Sequence, residues 1–386
     1  MADDFSRAKD LYFWNKCVLS IIGVWPLQPS YIIFGLWMVY ICIHLTMGYN
    51  DLLHVFGDLE LMIMNLSETA LESMVMVKLL LLRFSKSIAN LMDQFIHGLE
   101  PESYDGTEEK QIYLNYNRIA KTFFKLTITC GSSTAIIYHL KPMEYRLRAV
   151  LNNESAPFVL PYRSRIFFEV NDATTFWLVY IYQTPTIYIH LFHTVAISYL
   201  VTLVLHVCAQ LSILSLRIKN IKIDPLNEVR STRLMFQEMV ERHLKIIWMA
   251  KEIDDTFNLM LLEELVMTTV ILGLTSYNVI VNSDMADKTV FISFCLYVST
   301  MLMMVYGYCF AGEYLISESE KVYNAYYQCQ WYDLSSSFKK QLSICMTGSA
   351  KPLLLTGGGF YVFSLAGFTS VLKSSMAYVS MLRTLV

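Results

Sequence analysis

The chain has 386 residues, 55% of them hydrophobic and 16% charged, and a mean hydropathy of +0.41. That is too apolar for an ordinary soluble protein and points to several membrane spans in one membrane domain. A net charge of −3 with scattered basic residues excludes a nucleic-acid-binding face. The acidic, polar start MADDFSRAKD lacks the pattern of a cleaved signal peptide, so the first span is expected to act as its own insertion signal.

Seven runs approach the ~20 apolar residues that a helical span needs. They are Tyr31 to Tyr49, Leu59 to Leu82, Thr122 to Leu140, Phe176 to His206, Leu259 to Val281, Thr289 to Leu315 and Pro352 to Met381. Asn65, Glu68, Glu72 and Lys78 interrupt the second run. It still qualifies, because Leu79 to Leu82 finish it and polar side chains are tolerated on a face turned to protein or to a wet cavity. The predicted fold class is an all-α membrane protein with seven transmembrane helices.

A cytoplasmic N-terminus puts 20 Lys and Arg in the inside segments (1–30, 83–121, 207–258, 316–351) and 7 outside. The positive-inside bias therefore predicts a cytoplasmic N-terminus and an extracellular C-terminus. The outer loop 141–175 holds Asn153-Glu154-Ser155, a sequon usable only on that side, which makes Asn153 the candidate glycosylation site. A second match, Asn65-Leu66-Ser67, falls within a span and reads as chance. None of the eight cysteines lies in an outer loop, so no extracellular disulfide is expected.

This topology is inverted relative to G-protein-coupled receptors, and neither Asp-Arg-Tyr after the third span nor Asn-Pro-x-x-Tyr in the seventh is present. HExxH, GxSxG and Walker motifs are missing, and Gly357, Gly358 and Gly359 do not complete a GxGxxG, so neither catalysis nor a cofactor is expected. His190, His193 and His206 lack acids at helical spacing. They read as packing or hydrogen-bonded residues, and no metal site is expected.

Two inside segments are too long and too patterned to be turns. From Val229, apolar residues at near-helical spacing (Leu234, Met235, Met239, Leu244, Ile247, Trp248, Ile253, Phe257) predict an amphipathic helix running up into the fifth span. Asp224-Pro225 is a natural stop before it. The stretch SESEKVYNAYYQCQWYDLSSSFKKQLSICM suggests a second polar helix, so spans four to seven are expected to carry long cytoplasmic helical extensions. These helices either pack under their own bundle or form a subunit interface, for which Tyr326, Tyr327, Trp331 and Tyr332 are the candidate anchors. The expected division is 1–206, four spans; 207–258, a cytoplasmic anchor leading into span five; 259–315, spans five and six; 316–351, an anchor helix; and 352–386, the seventh span.

From Tyr323 to the end the sequence resembles the C-terminal signature of insect odorant receptors. Tyr327 and the pair Trp331-Tyr332 precede a Lys-Pro-Leu-x-Leu-Thr-x-Gly-x-Phe run, here Lys351 to Phe360, and Val371 to Ser375 match a following Val-Leu-Lys-x-Ser motif. The match departs at Ser375-Met376-Ala377-Tyr378-Val379, where the family usually has Ser-Tyr-Ser-Tyr-Phe. The resemblance implies an odorant-gated, non-selective cation channel in the plasma membrane of sensory neurons. It further implies a tetramer, usually of odorant-specific subunits and a common co-receptor. The co-receptor's long insertion before span five is absent here, so the chain resembles an odorant-specific subunit. A homotetramer is the alternative assembly.

Four copies of one helix around an axis make a pore, and each copy then needs a water-tolerant face. Stepping back from Leu385 at helical spacing gives Met381, Ala377, Ser374, Ser370 and Gly367, apolar at the outer end and small or polar below. Apolar rings gate by dewetting, so Met381 and Leu385, with Thr384 beside them, are the gate candidates, in the last two turns where the family's gate lies. Close helix packing is the other reading of this stripe. Lys373, about 100° round from Ser374, is expected at the flank of the pore. Gly357 to Gly359 are expected to mark a helix start or a hinge, with simple close packing as the competing reading.

By resemblance, spans two, three, four and six enclose the ligand. A volatile ligand calls for an apolar, aromatic wall with a few hydrogen-bonding groups. The candidates are Met74 and Val77 from span two; Cys130, Gly131, Thr134, Ile137 and Tyr138 from span three; Tyr180, Gln183, Thr184, Ile187 and Tyr188 from span four; and Phe294, Tyr297 and Met301 from span six. Core packing is the competing reading for each. Pro185 is expected to kink span four and free a carbonyl. A secondary transporter would also explain the charges within the spans, but no internal repeat is visible. A gustatory-type receptor is the near neighbour, and its Thr-Tyr-x-x-x-x-Gln-Phe run is absent.

Overall fold

Ahead of the first apolar run lies a helix that the apolar-run criterion does not select. In the computed structural model, which describes residues 2–152, 158–166, 170, 172–221, 228–281, 288–333 and 335–385, helix α1 spans Ala2–Ile21. Phe5, Ala8, Leu11 and Leu19 bury its inner face. Trp14 stacks on Phe124 at 5.6 Å, and Lys121 reaches Asp10 at 2.7 Å. Alpha-helices then follow as α2 (Tyr31–His54), α3 (Leu59–Phe84), α4 (Lys86–Gly98), α5 (Thr107–Leu151), α6 (Ala173–Gln183), α7 (Thr186–Lys219), α8 (Glu228–Val281), α9 (Lys288–Gln328), α10 (Ser336–Ser349) and α11 (Leu365–Leu385).

Helix α7 is the centre of the bundle and packs chiefly on α5 and α9. It is apolar all round, the pattern of a helix surrounded by protein, and from Phe192 to Ala209 every residue is buried. Immediately before it the fourth span breaks at Pro185, as the lost N–H of a proline requires. One of the carbonyls at the break, that of Tyr182, accepts a hydrogen bond from the Tyr40 hydroxyl at 3.0 Å. The long anchor into span five is the single helix α8; residues 224 and 225 lie outside the described residues, as does Asn153.

Two boundaries differ from expectation. The second cytoplasmic helix is not continuous: α9 runs to Gln328, a 3-10 turn covers Trp331–Asp333, and α10 begins at Ser336. The seventh span begins at Leu365, not Pro352, because the Lys351–Phe360 motif builds an antiparallel hairpin, β1 (Thr356–Gly357) with β2 (Tyr361–Val362). Gly358 and Gly359 form its turn with φ of +62° and +76°, a conformation that favours glycine. They do not start the helix, which begins at Leu365, and they pack closely: a Cβ on Gly357 would stand 3.2 Å from the Phe363 ring and one on Gly358 2.8 Å from Leu262 Cδ2. The hairpin is pinned to α8: Thr356 donates from its N–H and hydroxyl to Asp254 Oδ1 at 2.6 and 2.9 Å, and Gly358 N–H to the Asn258 carbonyl at 2.9 Å. Ser364 then caps α11 by accepting from Gly367 N–H at 3.1 Å.

Candidate functional site

The polar residues of α3 face protein. Asn65 donates to the Gly48 carbonyl at 3.0 Å and to Asp51 at 2.9 Å. Glu68 accepts from the Tyr138 hydroxyl and from Arg163 N–H, the latter at 2.8 Å, while His44 Nε2 lies 3.3 Å from Glu72. Lys78, wholly buried, pairs with Glu264 of α8 and donates to His193 Nδ1 of α7 at 3.0 Å. Each charge that weakens α3 as an apolar run is therefore paired with another element.

Beside these groups, α3, α5, α7 and α9 enclose a mostly apolar cavity of about 70 Å³. Its wall includes Gly131, Thr134 and Tyr138 of α5 and Tyr297 and Met301 of α9, five of the candidates drawn from the sequence. Thr134 and Thr300 join hydroxyls across it at 2.9 Å. Gly131 lines the wall but leaves no spare room there, since a Cβ added to it would stand 2.5 Å from Thr194 Oγ1. Residues that sequence reasoning missed complete the wall: Met64, Ser67, Glu68 and Leu71 of α3, Ala135 and Lys141 of α5, His190, His193 and Thr194 of α7, and Thr300 and Met304 of α9. Glu68 carried a signal in the sequence, as a carboxylate within a span; Met64 and Ala135 carried none.

The other candidates fall elsewhere. Val77 and Ile137, 37% and 42% exposed, turn away from the bundle, and Thr184 is likewise exposed. Met74 is buried in a side cluster with Leu71, Leu272 and Met301 and does not reach the cavity. Tyr180 donates to the His139 carbonyl at 2.9 Å, and Gln183 donates to the Tyr162 carbonyl at 3.0 Å, so both hold structure at the outer end. Tyr188 donates to the Val18 carbonyl at 2.8 Å, which fixes the end of α1. Cys130 and Ile187 are half-buried beside the wall without lining it, and the Phe294 side chain lies outside the described residues.

The described residues of the segment between α5 and α6 lie beside the cavity. Tyr162 is buried among the rings of Tyr138, His139 and His190, with centroids 5.6 to 5.8 Å away. A vestibule of about 310 Å³, lined by Leu160, Pro161 and Arg163 of the loop, shares Met64, Glu68, Tyr138 and Lys141 with the inner cavity.

On α11, Val371 and Ser375 face inward, whereas Ser370, Ser374, Ala377 and Met381 are exposed on this single chain, as is Lys373. The side chains of Thr384 and Leu385 lie outside the described residues. At the end of α9 and in the turn after it, Tyr327, Trp331 and Tyr332 are 66%, 43% and 61% exposed. Tyr326 is not available as an anchor: it is fully buried, and its hydroxyl lies 3.2 Å from His243 Nδ1 within the same chain. Burial holds the His243 imidazole below its usual pKa, so the contact is between neutral groups.

The family model for the 7tm odorant receptor matches residues 58–376. The chain belongs to the insect odorant receptor family. Over 97% of its length it is 24% identical to Odorant receptor 13a of Drosophila melanogaster, covering 96% of that receptor. It is also 31% identical to the Drosophila melanogaster odorant receptor coreceptor, over 37% of this chain and 29% of that one. In fold it matches the insect olfactory receptor OR5 of Machilis hrabei with a TM-score of 0.83 at 14% identity, covering 98% of this chain and 99% of that one. The same receptor in complex with eugenol matches with the same TM-score, 0.83, at 12% identity over 99% of this chain and 100% of that one. The receptor therefore has the seven-helix membrane fold and is not an enzyme; members of its family form ligand-gated cation channels with a co-receptor.

Proposed function

We propose that the receptor is an odorant-specific subunit. In this reading it binds a small volatile molecule in the cavity between α3, α5, α7 and α9, and it opens a cation pore lined by α11 in a tetramer with the co-receptor. The observation that carries this is the mostly apolar cavity between the helices of a chain of this family. The solved relative in complex with eugenol supports a small organic ligand. The exposed stripe Ser370, Ser374, Ala377 and Met381 supports the pore face, with Leu385 next in register, and exposed Tyr327, Trp331 and Tyr332 support a cytoplasmic subunit interface. The test is current in cells expressing the chain with and without a co-receptor, against an odorant panel; no odorant-evoked current in co-receptor-positive cells that display the chain would reject the reading.

The gate follows from two methionines on one helix. Met381 and Met376 are 59% and 58% exposed, but about 140° of rotation separates them. Met381→Ser, with the matching co-receptor position changed in parallel, should wet the constriction and raise current without odorant. Met376→Ser should leave resting current unchanged, and equal effects would make the stripe a packing face.

Orientation has its own check. An epitope after Val386 should be reached by antibody on intact cells and one before Met1 only after permeabilisation, as the charge asymmetry predicts; the reverse pattern would overturn the topology. Glycosylation at Asn153 belongs to the same orientation and should disappear on Asn153→Gln as a mobility shift after glycosidase treatment.

A further inference from the structure

The walls of the cavity hold many polar groups, and the six hydroxyls among them have spent their protons. Ser67 donates to the Met64 carbonyl at 2.8 Å, Thr194 to the His190 carbonyl at 3.1 Å, Tyr297 to the Ser67 carbonyl at 3.1 Å, and Tyr138 to Glu68. Thr134 and Thr300 have two protons between them and three hydrogen-bond contacts to fill: with the Cys130 carbonyl at 2.8 Å, with the Leu296 carbonyl at 2.9 Å, and with each other at 2.9 Å. A hydroxyl has a single proton to give. None of these six side chains has a hydrogen left for a ligand.

The imidazoles differ: His190 Nε2 and His193 Nε2, both in the wall, have no hydrogen-bond partner among the described residues, and for His193 a neighbour fixes the tautomer. Lys78, held by the Glu264 carboxylate, offers only donors, and its ammonium lies 3.0 Å from His193 Nδ1. Nδ1 must therefore be the acceptor, and the ring proton of the neutral imidazole is on Nε2. Nε2 has no hydrogen-bond partner among the described residues; its nearest acid oxygen, Glu264 Oε1, is 3.6 Å away. The side chain is 2% exposed and lines the cavity. A buried donor left unpaired is costly.

We propose that the receptor's ligand is a compact volatile molecule bearing a hydrogen-bond-accepting oxygen, a carbonyl of the ketone, aldehyde or ester type, which receives the Nε2–H of His193. Lys78 and Glu264 act as positioning residues that hold the tautomer. The remaining wall, with Leu71, Ala135, Met301 and Met304, contacts the hydrocarbon part. At about 10–15 Å³ per water-sized sphere, the cavity admits five to seven heavy atoms without side-chain movement. The inference rests on the odorant-receptor reading above.

Isosteres that differ only at the oxygen test it. Cells expressing the receptor with the co-receptor are exposed to 2-pentanone and 2-hexanone and to 2-methylpentane and 2-methylhexane, where a methyl group replaces the oxygen. The ketones should be about tenfold to a hundredfold more potent, the value of satisfying the buried donor. In His193→Leu that preference should vanish, whereas His193→Gln, which keeps an N–H near the Nε2 position, should retain most of it. Currents evoked by a co-receptor agonist identify variants that fold and assemble. Equal potency of ketone and hydrocarbon on the native receptor, or a preference that survives His193→Leu, would overturn the role of His193 while leaving the receptor reading intact. No response to any odorant in cells with normal co-receptor-agonist current would overturn both.

Discussion

Glu264→Leu should remove most of the receptor from the cell surface. The substitution leaves the Lys78 ammonium with no carboxylate in a site where both side chains are 2% exposed or less, and breaking a buried pair from one side costs roughly 3–5 kcal/mol. That is a large share of the ~5–15 kcal/mol by which a typical protein is stable. The double variant Lys78→Met with Glu264→Leu removes both charges and keeps similar volumes, so surface biotinylation should recover to at least about half the native amount. Assembly with the co-receptor should recover with it, while the ketone preference attributed to His193 should not, because the group that fixes its tautomer is gone. Native surface levels in Glu264→Leu would show that the pair does not hold α3 against α8.

Ala135→Phe should abolish odorant responses without abolishing the channel. Ala135 is 3% exposed and lines the cavity, and the added ring takes up the space a ligand of five to seven heavy atoms would need. Overpacking costs about 1–3 kcal/mol where a core is full, but here the ring enters existing space. The expected result is a loss of odorant potency of about a hundredfold or more, ~2.7 kcal/mol or more of binding energy, with co-receptor-agonist current within about twofold of native. Gly131→Ala should behave differently: its Cβ would meet Thr194 Oγ1 at 2.5 Å, so α5 and α7 must part and surface expression should fall first. Ile137→Phe, on the exposed side of the same helix, should change neither readout. Undiminished odorant sensitivity in Ala135→Phe would put the ligand outside this cavity.

Much of the architecture is legible along the chain because its causes are linear. A bilayer demands runs of about 20 apolar residues, lost proline N–H groups break helices where they fall, and the family signature from Tyr327 to Ser375 is a contiguous pattern. The same signature shows the limit of such reading. Its glycines suggest a hinge until the fold pairs Thr356 with Val362 and pins the turn against Asp254 and Asn258 of α8. Helix α1 escaped notice for the complementary reason: its apolar face is sparse and matters only once α5 presents Phe124 to Trp14.

Composition and periodicity by themselves determined that this is a helical multi-span membrane protein and that the charges of α3 need partners. Which partners those are was decided only by the tertiary structure. Lys78 and Glu264 are 186 positions apart, and Tyr138 and Glu68 are 70 apart. Helical periodicity says which residues of one helix share a face, but not which face of another helix it meets. For that reason Val77 and Ile137 were indistinguishable in sequence from true wall residues. The cavity, its closed hydroxyls and the Nε2 proton of His193 arise where α3, α5, α7 and α9 converge. That convergence is set by how the whole bundle packs around α7 and by no segment alone.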